Sequence, residues 1–184
     1  MRISDSELAR ELDAVGLEFI EVVAQRPVLP TAPGHSPASS LREHGRFDTG
    51  AVHIDDPAFV ARINADWWRM ATEHGLFDAR RECLFGLHLW VASEGEEYDA
   101  NAYDESFAWV RVRLSDGAEG LDVAGDVCRH FRGWRFEEEG REFWVPEFSM
   151  LSVDSRMMIH TTLWGNHTVS TIVVRPDRLA AFGP

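Results

Sequence analysis

The switch of hydrophobic period near residue 80 limits the possible folds of this chain more than any other feature. Between 57 and 74, large side chains recur at helical spacing and share one face: Phe59, Ile63, Trp67, Met70 and His74. Asp56 and Pro57 suit the start of this helix, and Gly75 suits its end. The pattern predicts a core helix over 57–74, with Trp67 directed inward and Trp68 near the border of the buried face.

Beyond residue 80 the apolar residues follow a period of two, which is typical of strands. Residues 84–92 are apolar on both faces, as expected of a central strand. One further strand is predicted over 107–114, and two hairpins are predicted over 134–137 with 141–145 and over 157–164 with 168–175. Two long hairpins near the end of the chain favour a mainly antiparallel sheet. We therefore predict an α+β fold with two to three helices packed on one face of the sheet.

The N-terminal part of the chain completes the predicted domain. Residues 5–15 have a capping box and helical spacing, and 17–24 alternate like a strand, with a continuation of the helix as the alternative. Residues 26–50 contain four prolines among glycine and serine, which predicts a long Pro/Ser-rich loop. A length of 184 residues fits a single domain over 1–184 that contains this loop.

The charge of the chain limits its partners. It has 31 acidic and 18 basic residues, a net charge of −13, and every basic residue is arginine. Nucleic acids and anionic membranes are disfavoured, because binding them requires a basic surface. A basic protein surface is the expected partner, although solubility alone also explains such a charge. The sequence has two cysteines and no signal-peptide pattern, which predicts a soluble cytoplasmic protein.

One segment concentrates the negative charge in the connection between two predicted strands. Six acidic residues lie within twelve positions with no base among them: Glu94, Glu96, Glu97, Asp99, Asp104 and Glu105. A calcium loop of the EF-hand type is excluded, because Tyr103 and Asp104 occupy positions that need an oxygen ligand and a glycine. The segment is a docking surface for a basic partner, a solvated hairpin loop, or an irregular cation site.

The histidines offer the main alternative chemistry. His88 lies in the middle of a predicted strand and could meet His160 if their strands are neighbours, which would form an acid–base pair. A two-residue turn at Gly165-Asn166 would place Trp164 opposite His167. A hydrogen-bonded core histidine is the simpler interpretation of both His88 and His160.

Other motifs are few. His53-Ile54-Asp55 resembles half of a site with two histidines and one carboxylate, although Asp55 also adjoins the predicted helix start. No metal, nucleotide or other cofactor motif is present, so no cofactor is predicted. Seven tryptophans are many for this length, and Trp90 and Trp164 are candidates for lining a pocket or an interface.

Two functions from different classes follow from these features. The first is a non-enzymatic acidic protein-binding module, such as an inhibitor, an immunity-type factor or an accessory subunit. The second is a small enzyme or small-molecule binder with a Trp-lined pocket between sheet and helices that uses His88 and His160. A closed pocket with convergent polar groups would favour the second, and a flat acidic face would favour the first.

Overall fold

The computed structural model describes residues 2–89, 105–131, 134–138 and 141–181. It confirms the α+β fold with a mainly antiparallel sheet. The helices are α1 (Asp5–Asp13), α2 (Phe59–His74) and α3 (Cys128–His130), the last preceded by a π-helical turn over Val123–Val127. The strands are β1 (Leu17–Val22), β2 (Arg46–Asp48), β3 (Val52–His53), β4 (Glu82–His88), β5 (Phe107–Leu114), β6 (Trp134–Glu138), β7 (Arg141–Val145), β8 (Ser149–Ser152), β9 (Met158–Leu163) and β10 (Thr168–Val174).

Eight of these strands form one sheet in the order β1-β5-β4-β8-β9-β10-β2, with β3 also paired to β10. Every pairing in it is antiparallel. The predicted hairpin around Glu139-Gly140 is present as the separate pair β6 and β7. The order places β4 and β5 in the interior of the sheet, and the two-sided apolar pattern of 84–92 predicts this position for β4.

The predicted core helix is confirmed with a small correction at its start. It begins at Phe59, because the Asp56 carboxylate accepts a hydrogen bond from the Ala58 amide and forms a turn just before the helix. Gly75 ends the helix in the left-handed conformation that glycine tolerates, with φ of 73°. Trp67 is 1% exposed, whereas Trp68 is only partly buried.

The sheet has two different faces. The inner face contacts α1 and α2, and it forms the main core with residues such as Leu12, Ile63, Trp67, Phe85 and Val173. The outer face carries a smaller apolar cluster of Leu84, Trp109, Leu151 and Met158, with Val23 and Leu29 packed against it. Charged and polar side chains surround that smaller cluster, and they form most of the candidate sites.

The predicted loop over 26–50 contains regular structure in its second half. This half contains two 3-10 turns, Pro37–Ser39 and Arg42–His44, followed by β2, which pairs with the edge of β10. Pro37 and Ser40 are buried, and Arg46 donates hydrogen bonds to the carbonyls of Ala38 and Ser40. Prolines and serines correctly indicate turns. The composition does not reveal that Arg46 of β2 binds the backbone of these turns through hydrogen bonds.

The turn between β9 and β10 also differs from the prediction. Trp164 and Thr168 pair through a backbone hydrogen bond, so three residues form the turn and Trp164 does not face His167. His167 takes the left-handed conformation with φ of 58°, which closes the longer turn. In the part of the chain that the structure describes, no helix has the length and apolar character needed to cross a bilayer.

Candidate functional site

The free end of the β4–β5 hairpin is where the sequence places the acidic connection. His88 and Phe107 form the last paired positions of the two strands, and Leu89 donates a backbone hydrogen bond to Ser106. The Phe107 ring is 38% exposed, although phenylalanine usually lies in the core. It contacts the His88 ring at 5.2 Å and the Trp109 ring at 5.7 Å between centroids. An exposed aromatic side chain therefore lies at the base of the connection.

Gly86 explains how the Phe107 ring is held across the outer face. A Cβ atom at this position would lie 2.9 Å from Phe107 Cζ and 3.3 Å from the Trp109 ring. A larger residue at 86 would push the Phe107 ring away from β4. The buried Trp109 indole N–H, which lies in the same cluster, has no hydrogen-bond acceptor among the described residues. Such buried donors are rare in folded proteins.

Only one predicted acidic residue belongs to the described part of this site. Glu105 is exposed, two residues before Phe107. The other predicted binding residues of this segment lie outside the described residues: Trp90, Glu94, Glu96, Glu97, Asp99 and Asp104.

The structure does not bring His88 and His160 together. Strand β8 lies between β4 and β9, so the condition for their pairing does not hold. Two strand spacings of about 4.8 Å put the two positions roughly 10 Å apart at least. His160 instead lies 3.1 Å from the Ser149 hydroxyl through Nδ1, and burial lowers the pKa of its imidazole. His160 is therefore a hydrogen-bonded, partly buried histidine of the outer face, whereas His88 is exposed, so the core interpretation is wrong for His88.

Trp164 lines the outer face beside β2. Its indole N–H donates a hydrogen bond of 2.6 Å to the Ser170 hydroxyl, and the Arg46 guanidinium lies 5.7 Å from its ring centre. Arg46 also forms a 2.7 Å ion pair with Asp48. These contacts attach the 37–48 segment to the sheet, so the structure gives Trp164 a structural task.

A row of alternating charges crosses three neighbouring strands on the outer face. The Glu82 carboxylate is 3% exposed and receives hydrogen bonds from Arg113 and Arg111, whose Nη2 atoms lie 3.0 and 2.7 Å from its oxygens. Glu18 and Glu21 on β1 lie outside the arginines at 3.3 and 3.4 Å. Hydrogen bonding from Arg113 lowers the pKa of Glu82, although burial opposes this effect. The alternation of residues along a single strand does not predict this row, because the row depends on which strands are neighbours in the sheet.

The His53-Ile54-Asp55 motif does gain a second histidine. The His167 ring centre lies 6.4 Å from that of His53, and His53 Nδ1 lies 3.7 Å from an Asp55 oxygen. However, His53 Nδ1 is already close to the Asp55 backbone amide, at 3.2 Å. No group of three potential ligands converges on a metal position within the described residues.

A cleft that the sequence did not predict opens beside the C-terminal half of α2. Its volume is about 190 Å³, and its lining combines apolar side chains with one arginine: Trp68, Ala71, Thr72, Gly75, Phe77, Arg81 and Leu114. The Trp68 and Phe77 rings lie 5.9 Å apart at an angle of 44° and form one wall. The i, i+3, i+4, i+7 spacing of the α2 lining residues indicates that they share one stripe of the helix. The spacing does not show that no other part of the chain packs over this stripe.

No protein-family model, curated protein or solved structure matches this chain. Its function therefore has to be inferred from its own side chains. Two places stand out: the exposed aromatic end of the β4–β5 hairpin and the cleft beside α2. They lie at different positions in the fold and share no lining residue.

Proposed function

We propose that the chain is a non-enzymatic acidic binding module, of the inhibitor, immunity-type or accessory-subunit kind, that docks a basic protein surface at the end of the β4–β5 hairpin. The observation that carries the proposal is the exposed Phe107 ring at the base of the acidic connection. Protein interfaces commonly combine an aromatic anchor with a charged rim. The six acids of 94–105 would supply that rim.

The two parts of this surface would act differently. The acidic residues would attract a basic partner over about 8 Å at physiological salt and raise its association rate. Phe107 would slow dissociation by stacking on an apolar or guanidinium group of the partner. A net charge of −13 adds a general attraction for basic proteins and disfavours nucleic acids. Both cysteines are buried thiols, which supports a reducing compartment such as the cytoplasm as the proposed location.

The test uses an arginine-rich peptide as the probe in surface-binding kinetics at several ionic strengths. Replacing Glu94, Glu96 and Glu97 with Gln should slow association several-fold at low salt, and added salt should shrink the difference. The matched control carries the same charge change at exposed acids elsewhere: Glu43→Gln, Asp116→Asn and Glu119→Gln. It should change the association rate much less.

Phe107→Ala separates a docking site from general attraction. The substitution should speed dissociation of the same peptide and leave its association rate nearly unchanged. If both triple variants slow association of the peptide equally and Phe107→Ala has no effect, the interaction depends on net charge alone. The proposed docking surface would then be abandoned.

The alternative of an enzyme using His88 and His160 loses its geometric basis, since β8 separates the two strands. Neither histidine lines the cleft beside α2. A ligand-binding role for that cleft needs different residues.

A further inference from the structure

The cleft beside α2 is apolar on most sides, and its described lining residues include a single charged side chain. Ala71 and Leu114, both buried, form its floor, and Trp68 with Phe77 forms an aromatic wall. Arg81 is the charged residue among those that the structure describes in the lining. Ligand sites usually combine an apolar lining with a few fixed polar groups, and this cleft has that composition at small scale.

Arg81 is held in place by its own backbone. Its φ is 62°, a left-handed conformation that a residue with a side chain adopts at an energetic cost. Its amide donates to the Asp78 carbonyl, and its carbonyl accepts from the Leu114 amide. The Asp78 carboxylate also accepts hydrogen bonds from the amides of Arg80 and Glu82 on either side. This turn fixes the point from which the Arg81 side chain extends.

The Arg81 guanidinium is anchored but not saturated. Its Nη2 donates a 2.6 Å hydrogen bond to the Ala118 carbonyl. A guanidinium has five N–H donors, so this bond leaves donors for a ligand. The planar fork of a guanidinium matches the two oxygens of a carboxylate.

Further arginines lie near the cleft, and one of them, Arg175, is also ion-paired with Asp177 at 3.1 Å. Arg175 and Arg178 donate hydrogen bonds to the carbonyls of His74 and Glu73, at the end of the helix that lines the cleft. They occupy carbonyls that would otherwise repel an anion at a helix C-terminus. Exposed Arg80 adjoins Arg81. This local group of arginines lies in a chain whose net charge of −13 disfavours anions in general.

We propose that this cleft binds a small monocarboxylate with a flat apolar body, its carboxylate on Arg81 and its body against Trp68 and Phe77. A volume of about 190 Å³ is below that of sites for drug-sized ligands, which span roughly 300–1,000 Å³. One arginine in the lining suits one negative charge, and a phosphate would meet stronger repulsion from the acidic chain. This site is independent of the docking surface at the hairpin.

The experiment uses benzoate as the probe and follows the full chain by amide NMR. Benzoate should produce saturable shifts at Gly75, Phe77 and the Trp68 indole. Arg81→Met should weaken its Kd at least about tenfold, the factor expected for loss of a charge-assisted hydrogen bond. Methionine has an unbranched side chain like arginine, so the left-handed backbone conformation at position 81 places the same demand on both residues. Arg80→Met, the matched charge control on the exposed neighbour, should leave the Kd nearly unchanged.

Two further ligands test the chemical class of the ligand, and one further variant tests the cleft in case Arg81→Met does not fold. Benzyl alcohol has the same ring without the charge, and it should bind at least about tenfold more weakly than benzoate. Phenyl phosphate should not bind more tightly than benzoate. Thr72→Phe, at an exposed position of the lining, should occlude the cleft and reduce benzoate binding without touching Arg81, which covers the case in which Arg81→Met does not fold.

Each opposite outcome would overturn the proposal. These outcomes are no saturable benzoate binding, equal affinity for benzyl alcohol, tighter binding of phenyl phosphate, or equal losses from Arg80→Met and Arg81→Met. The triple glutamate variant of the 94–97 segment should bind benzoate like the unmodified chain. Failure of the docking surface and failure of the cleft can thus be told apart.

Discussion

The inner and outer faces of the large sheet use different means to stay folded. Leu12, Ile63 and Trp67 cover the inner face with aliphatic and aromatic surface from two helices. No α-helix covers the outer face among the described residues. This face has a small apolar cluster, a buried glutamate between two arginines, and the 37–48 segment, which Arg46 holds by hydrogen bonds. Apolar burial is non-directional, whereas hydrogen-bonded charges need partners in fixed places. The stability of the outer face is therefore expected to depend on the placement of its charged partners and on pH.

The largest expected effect is on the inner face, at Trp67. Trp67→Ala should lower the free energy of unfolding by about 3–5 kcal/mol, because the side chain is fully buried and its removal leaves a cavity. Trp68→Ala is the matched variant on the same helix and should cost clearly less, since its ring is partly exposed at the cleft. Urea denaturation of both variants provides the measurement. Equal losses would contradict the orientation of α2.

The success of the Trp67 assignment shows what sequence patterns can predict. A helix buries one stripe, so local spacing alone identified the inward face of α2, its C-terminal glycine and the partly exposed Trp68. The hairpin pairs β6–β7 and β9–β10 were also predictable, because their partners are close in sequence. These features depend on residues within about one element of each other.

The outer face could not be predicted in the same way. The contacts of Glu82 with Arg111 and Arg113 join residues about thirty positions apart and require β4 and β5 to be neighbours in a particular register. The separation of His88 and His160 depends on β8, whose place in the sheet no local pattern reveals. The α2 cleft likewise depends on the turn that holds Arg81. The Glu82 contacts, the separation of the two histidines and the cleft all depend on contacts between residues distant in the sequence, rather than on local propensity.

The second expected effect is on the outer face, at Glu82. Glu82→Gln should destabilise the protein at neutral pH, because it removes the carboxylate that both arginines share. Hydrogen bonding from Arg113 is the main cause of the lowered pKa of Glu82 in the folded state. Its contribution is thus complete above the ordinary glutamate pKa of about 4.3 and is lost as the pH falls through the folded value.

Denaturation of the Glu82→Gln variant and the unmodified chain across pH measures that contribution. The difference in stability should be largest near neutrality and should shrink in acid. Glu18→Gln is the matched control in the same row, where the side chain is 43% exposed, and should change stability little. A difference that does not depend on pH would show that the charge of Glu82 is not what stabilises the row.

The third effect is local to the 37–48 segment. Arg46 is 17% exposed and holds this segment through Asp48 and two backbone carbonyls. Arg46→Gln should speed tryptic cleavage after Arg42 at least about tenfold, since hydrogen bonds to a charged group contribute about 1.5–3 kcal/mol each. Arg10→Gln removes an exposed arginine from α1, which lies beside the opposite edge of the sheet, and should leave this rate unchanged. Rapid cleavage after Arg42 in the unmodified chain, without acceleration by Arg46→Gln, would show that Arg46 does not restrain the segment.

The smallest expected effect compares one histidine on each side of the sheet. On the inner side, His74 of α2 contacts the Phe47 ring at 4.5 Å, and burial lowers the pKa of its imidazole. On the outer face, burial also lowers the pKa of His160, which Ser149 contacts. A lowered folded pKa favours the neutral ring, so stability is complete above the unfolded value of about 6.5 and falls as pH drops below it. The unmodified chain should therefore lose stability between roughly pH 7 and pH 5.

His74→Gln and His160→Gln should each flatten part of that loss, as measured by thermal unfolding over the same pH range. His44→Gln, at an exposed position, is the matched control and should leave the slope unchanged. Comparable flattening by both variants would mean that the outer face excludes water at His160 as well as the helical core does at His74. Flattening by His74→Gln alone would mean that water reaches the outer face at β9. The protein would then have one dry core and one hydrated, hydrogen-bonded face.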